Sequence, residues 1–169
     1  MKKTIGLAIL LLFTASAAFA GTATSNMSVT ATVVADCVVN SVGAMAFGAN
    51  LGIPFTITGT NATASAAINY TCTNSGVAPT IRLGQGLNPA ATSTDATPLR
   101  RMKDAGTDFI SYALYKDLAH SLPWANTTAT GVAGTANGVA QIVTAYGVAT
   151  AANVPAGAYT DTVVVSVDF

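Results

Sequence analysis

The sequence predicts an all-β protein. Three observations carry this. Short apolar runs alternate at a period of two, clusters of Gly, Pro, Asn and Ser separate them, and no stretch longer than two turns combines a helical period with a cap and a stop. Strands of this length between such breaks favour a sandwich or a barrel. No repeat at a fixed period and no low-complexity linker divides the chain.

The first residues read as a leader. Lys2 and Lys3 precede an apolar run from Ile5 to Phe13, and small residues follow, ending Ala18-Phe19-Ala20. That is the three-part layout of a secretory signal peptide over residues 1–20, and its apolar run is too short to span a bilayer. Residues 21–169 are one domain's worth of chain and have no second long apolar run, so a soluble exported product is expected.

Residues 21–36 form an N-terminal arm. Within it, Met27, Val29, Ala31 and Val33 alternate with Ser28, Thr30 and Thr32, the pattern of a half-buried strand in search of an apolar groove. Cys37 closes the arm. Its partner is expected to be Cys72, since an even count in an exported chain favours pairing. Closing that loop would stabilise the fold by roughly 3 to 4 kcal/mol on the chain-entropy argument.

From Cys37 onward, strands are expected at Asp36 to Asn40, at Ile53 to Thr58 on an edge because of Pro54, and at Ala64 to Thr73. Asn74-Ser75-Gly76 predicts a hairpin into Val77 to Leu83, followed by a loop from Gly84 to Pro98. Phe109 to Lys116 is apolar on both faces and is expected at the centre of a sheet, and Val139 to Val148 is a further strand. The last strand, Tyr159 to Phe169, places Val163, Val165, Val167 and Phe169 on one face. If the sandwich is immunoglobulin-like, no strand follows it, and its apolar edge invites another chain.

Composition excludes several functions. Only 8% of residues are charged while 51% are hydrophobic. Beyond the leader, Arg82, Arg100, Arg101, Lys103 and Lys116 face seven Asp and no Glu, a balance of minus two that attracts neither nucleic acid nor anionic lipid. Catalysis and metal binding have little support: the single His, His120, follows Asp117 in an expected surface loop, and neither a GxSxG elbow nor an HExxH pair is present. Asp104 and Asp108, beside Arg100, Arg101 and Lys103, read as a solvated hairpin. N-x-S/T matches at Asn26, Asn61, Asn69 and Asn126 matter only in a glycosylating host. No enzyme activity and no cofactor is expected.

The order of Cys37, Cys72, the block Leu99 to Asp117 (LRRMKDAGTDFISYALYKD) and the ending Gly157 to Phe169 (GAYTDTVVVSVDF) resembles the spore coat U domain family, which includes pilins of archaic chaperone-usher pili. The resemblance covers residues 37–169 as the domain and residues 21–36 as the arm. It implies an incomplete immunoglobulin-like β-sandwich completed by a donor strand from another subunit, in a surface pilus or fibre that supports adhesion or biofilm formation. The implied partners are identical or related subunits, a periplasmic chaperone and an outer-membrane usher. The implied route is export through the periplasm to the cell surface. Carried over to this chain, Met27, Val29, Ala31 and Val33 are the donor residues, and Val163, Val165, Val167 and Phe169 line the acceptor groove. Ala31 departs from the large aliphatic expected at a donor position. A second reading stays open: a monomeric secreted β-sandwich that binds carbohydrate or another surface ligand through the loops near Gly84 to Pro98 and Trp124.

Overall fold

A computed structural model describes residues 21–49, 61–74 and 76–169. The leader at residues 1–20 and the edge strand expected at Ile53 to Thr58 lie outside the described residues. The chain divides into an N-terminal unit ending at Thr32 and a second unit from Val33 to Phe169. In the first unit, residues 21–32 carry no regular structure, and Met27 and Val29 are 86% and 85% exposed.

Among its described residues the second unit is all-β apart from one short 3-10 turn, Thr128–Thr130. Its strands are β1 (Cys37–Val42), β2 (Ala62–Cys72), β3 (Thr80–Leu83), β4 (Arg100–Lys103), β5 (Phe109–Tyr115), β6 (Val132–Ala133), β7 (Gln141–Ala149) and β8 (Val165–Asp168). They form a five-stranded sheet in the order β1-β2-β7-β5-β4 and a three-stranded sheet in the order β6-β3-β8, with antiparallel pairing throughout. The period-two alternation puts Ile68, Tyr70 and Cys72 of β2, Ile110, Tyr112 and Leu114 of β5, and Ala145 and Ala149 of β7 on one face. Ile81 and Leu83 of β3 and Trp124 pack against them in the same core cluster. Alternating small and large side chains let the two layers close.

Several expectations need correction. β2 and β3 do not form a hairpin, because they belong to different sheets. Pro79, which has no N–H to give a ladder, stands directly before β3, and Ile81 faces the core from the opposite layer. β5 lies inside its sheet between β7 and β4, as the double apolar face suggests, but only Ile110, Tyr112 and Leu114 are buried. On its other face Ser111 is exposed and Phe109 is covered by the Arg101 guanidinium at 4.0 Å. β4 and the two-residue β6 carry no apolar alternation that would announce them. Trp124 is 1% exposed and donates from Nε1 to the Ile81 carbonyl at 3.0 Å, so it is a core side chain and offers no ligand platform.

The final segment is shorter as a strand than Tyr159 to Phe169 and changes sheets. Thr160 and Lys103 exchange two backbone bonds of 2.9 Å, which fastens the start of the segment to the β4 edge. Four residues later, Gly84 N–H donates to the Val164 carbonyl at 2.9 Å, and β8 continues beside β3. At the end of β8, Arg82 and Asp168 form an ion pair.

A polar hub holds this crossing. Asp161 accepts from the Tyr112 hydroxyl at 2.6 Å through one oxygen, and from Leu87 N–H at 2.8 Å and Asn88 Nδ2 at 3.3 Å through the other. Gly86 adopts φ +85°, and a Cβ there would collide with the Asp161 carboxylate, so both the turn and the close approach require glycine. Arg100, 2% exposed, donates at 2.7 Å to each of the carbonyls of Gly84 and Leu83, while Arg101 donates to those of Asn88 and Pro89. Burial lowers the Arg100 pKa to about 10. Burial, with the bond to Asp161, pushes the Tyr112 phenol well above its ordinary value.

At the other end, Cys37 and Cys72 are disulfide-bonded across the β1–β2 pair, 35 residues apart. Asp36 and Thr73 extend that pairing, with Thr73 N–H donating to the Asp36 carbonyl and Asp36 N–H to Thr73 Oγ1, each at 2.9 Å.

Two outcomes are expected. Replacing both cysteines by serine lowers unfolding stability by about 3 to 4 kcal/mol in denaturant titration; a stability equal to the parent's contradicts this. The raised pKa of Tyr112 means its neutral form contributes stability that is complete below the unfolded-state value near 10 and is lost as pH climbs toward the folded-state value. In an alkaline absorbance titration of the native protein its phenol therefore stays silent until unfolding, and Tyr112→Phe removes no native titrating phenol. One fewer in that variant counts against the hub.

Candidate functional site

Each sheet has an edge strand on the same side of the sandwich, β1 in one layer and β8 in the other, and the two approach across the gap. Between the layers here lies an apolar cleft of about 380 Å³. Its floor is the inner face of the large sheet, where Ala66, Ile68, Leu114 and Ala145 present small and aliphatic side chains. One wall is the chain leaving β1, from Val42 to Phe47. The other is the crossing segment from Tyr159 to Val163, together with Val165.

The wall after β1 is built locally. Gly43 N–H donates to the Ala67 carbonyl at 2.8 Å, continuing the β1–β2 ladder by one step. Met45 and Phe47 then turn inward while Ala44 and Ala46 stay exposed, and Gly48 at φ +85° ends the run. The Phe47 ring meets that of Tyr112 at 6.0 Å. Gly147 makes room for both inward side chains, since a Cβ there would collide with Met45 Sδ and the Phe47 ring. Asp161 is the one carboxylate lining the cleft among the described residues, and the hub engages both its oxygens.

The free edge is that of β8. Because Gly84 N–H bonds the Val164 carbonyl, the antiparallel alternation turns the backbone groups of Val164, Ser166 and Asp168 toward β3. Those of Val163, Val165 and Val167 therefore point to the open side, where no strand pairs with β8 among the described residues. The open edge and the inward-facing valines thus belong to the same residues.

Of the residues read from the sequence as a groove, Val163 and Val165 line the cleft, Val167 packs against the core, and Phe169 is 56% exposed. Met27, Val29, Ala31 and Val33 are all exposed and lie outside regular structure. Cys37 and Cys72 are brought together at the root of that chain. Sequence reasoning missed Met45, Phe47, Tyr112 and Asp161. The alternation Met45-Ala46-Phe47 after a strand was a usable signal, as was a lone carboxylate ahead of an apolar run.

Comparison with known proteins agrees with this architecture. The chain is 41% identical over 163 residues to Protein U of Myxococcus xanthus, covering 91% of this chain and 89% of that protein. Its fold is similar, with a TM-score of 0.53 and 22% identity over 82% of this chain, to one in the crystal structure of the CsuC-CsuE chaperone-tip adhesion subunit pre-assembly complex from archaic chaperone-usher Csu pili of Acinetobacter baumannii; it spans 40% of the matched chain. The model of the Spore Coat Protein U domain matches residues 23–166, and the chain belongs to that family.

Proposed function

We propose that this chain is a structural subunit of a surface pilus or fibre, assembled when the arm of one copy adds as a strand to the β8 edge of the next. The observation that carries this is an apolar cleft next to a strand edge that is unpaired among the described residues, in a chain that also carries an exposed segment of matching alternation. Met27, Val29, Ala31 and Val33 are the donor side chains. Val163, Val165, Val167 and Phe169 flank the acceptor, with Val163 and Val165 inside the cleft. Family membership and the likeness to a fold from a chaperone-usher pilus complex support the reading. So does the disulfide at Cys37, which ties the residue that follows the arm to β2. The chain then travels through the periplasm under a chaperone that shields the cleft, meets an outer-membrane usher, and serves adhesion or biofilm formation at the cell surface. Its activity is non-covalent polymerisation. A monomeric binding module loses its principal ligand platform with the burial of Trp124.

Moving a copy of residues 26–34 behind Phe169 through a short flexible linker tests the reading. Burial of its larger apolar side chains contributes about 1 to 3 kcal/mol each, set against an ordering cost of roughly 1 kcal/mol per residue, and ladder bonds add to the balance. The tethered protein is expected to melt at least about 5 °C above its parent, as roughly 2 kcal/mol does in a chain of this size, and to stop polymerising. Within the copy, aspartate at Val29 or Val33 erases the gain, while aspartate at Ser28 or Thr30 leaves it. Equal effects on the two faces, or no gain at all, contradict strand addition.

A further inference from the structure

We infer that Asn137 is a site of spontaneous covalent modification, converted to aspartate or isoaspartate when the disulfide-bonded end of β2 loosens, and held unreacted until then by the Cys72 carbonyl. Of the asparagines in the chain, Asn137 alone is followed by glycine. Glycine carries no Cβ, so its backbone nitrogen can approach the preceding side chain without steric hindrance. Both residues are exposed, and Gly138 takes φ +76° in the turn that leads into β7. The space where a Gly138 Cβ would stand is empty out to 4 Å, which leaves the site open to water.

Water is the one co-reactant the chemistry needs. The Gly138 nitrogen loses its proton to hydroxide and attacks Asn137 Cγ, closing a succinimide. The Cγ–Nδ2 bond breaks, and ammonia leaves with a proton taken from water, which regenerates the hydroxide. Addition of water to either ring carbonyl then opens the ring to aspartate or isoaspartate.

The fold treats the two reacting groups differently. Asn137 Oδ1 accepts from Val139 N–H at 3.0 Å and from Gln141 Nε2 at 3.3 Å, donors that stabilise the negative charge this oxygen gains on attack. The nucleophile is withheld. Gly138 N–H donates to the Cys72 carbonyl at 2.9 Å, so its proton is engaged and its nitrogen is fixed to the end of β2. That end is held in turn by the Cys37–Cys72 disulfide and by the bonds between Asp36 and Thr73. Local opening there frees the nitrogen while the rest of β2 stays paired with β7. Either product is permanent and sets a carboxylate at the turn before β7, marking a subunit whose disulfide end has opened.

The test follows the mass of the peptide that holds residue 137, and its isoaspartate content, in the full exported chain kept in mildly alkaline buffer. Fully denatured chain is expected to react about tenfold faster than the native chain, or more, because the native rate is scaled by the locally open fraction. The folded Cys37→Ser/Cys72→Ser variant is expected to exceed the native parent by at least about threefold. Native chain reacting as fast as denatured chain overturns the protection, and no reaction at residue 137 in denatured chain overturns the site. A folded serine variant no faster than the parent overturns the link to the disulfide. Should that variant not fold, the parent in denaturant below its unfolding transition decides: a rate at residue 137 that rises before near-ultraviolet circular dichroism changes supports local release. A rate that rises only with global unfolding overturns it.

Discussion

The constraint on which this molecule turns is the backbone edge of β8, which no strand pairs with among the described residues. An antiparallel strand bonded on one side leaves every second residue's N–H and C=O facing outward, and here those residues are the same valines that face the core. Whatever pairs with that edge also covers the cleft beside it. Under the proposed strand addition, backbone satisfaction and apolar burial would be gained in one event, which is the physical reason to expect a strand there in place of a small ligand or a helix.

The rest of the fold fixes the position of that edge. The chain arrives on the large sheet at Thr160 and must reach the small sheet by Val164, and the crossing is fixed by Asp161 through Tyr112 and the turn at Leu87. Buried Arg100 secures the same turn from below by donating to two carbonyls. Its guanidinium gains those charge-assisted bonds against a desolvation penalty that is visible in its lowered pKa. At the far end the disulfide ties the arm's root to β2.

Much of this was legible in the sequence where alternation is strong. β2, β5 and β7 stand within two residues of their expected bounds, because Ala66, Ile68, Tyr70, Ile110, Tyr112, Leu114 and Ala145 repeat at the period of two. The all-β class and the cysteine pairing were equally readable. β4 was not, since Arg-Arg-Met-Lys looks like a solvated hairpin arm until Arg100 is seen to find two carbonyls in the core. The β2–β3 turn misled because Asn-Ser-Gly signals a reversal without saying into which layer the chain reverses. The cleft was half legible. Its valines follow from periodicity, and the Met45-Ala46-Phe47 alternation marks two inward side chains, but which partners Phe47 and Asp161 meet is set by contacts distant in sequence that no local pattern encodes.

The most direct measurement of the central claim is amide hydrogen exchange along β8. It compares the assembled protein with the non-polymerising monomer made by Val29→Asp in the arm. The account predicts that the amides of Ser166 and Asp168, already turned toward β3, are protected in both states. Those of Val163, Val165 and Val167 should exchange freely in the monomer and become protected on assembly. Exchange along β8 that does not change between the two states, or new protection that ignores the alternation, would contradict completion of this edge by a second copy's strand.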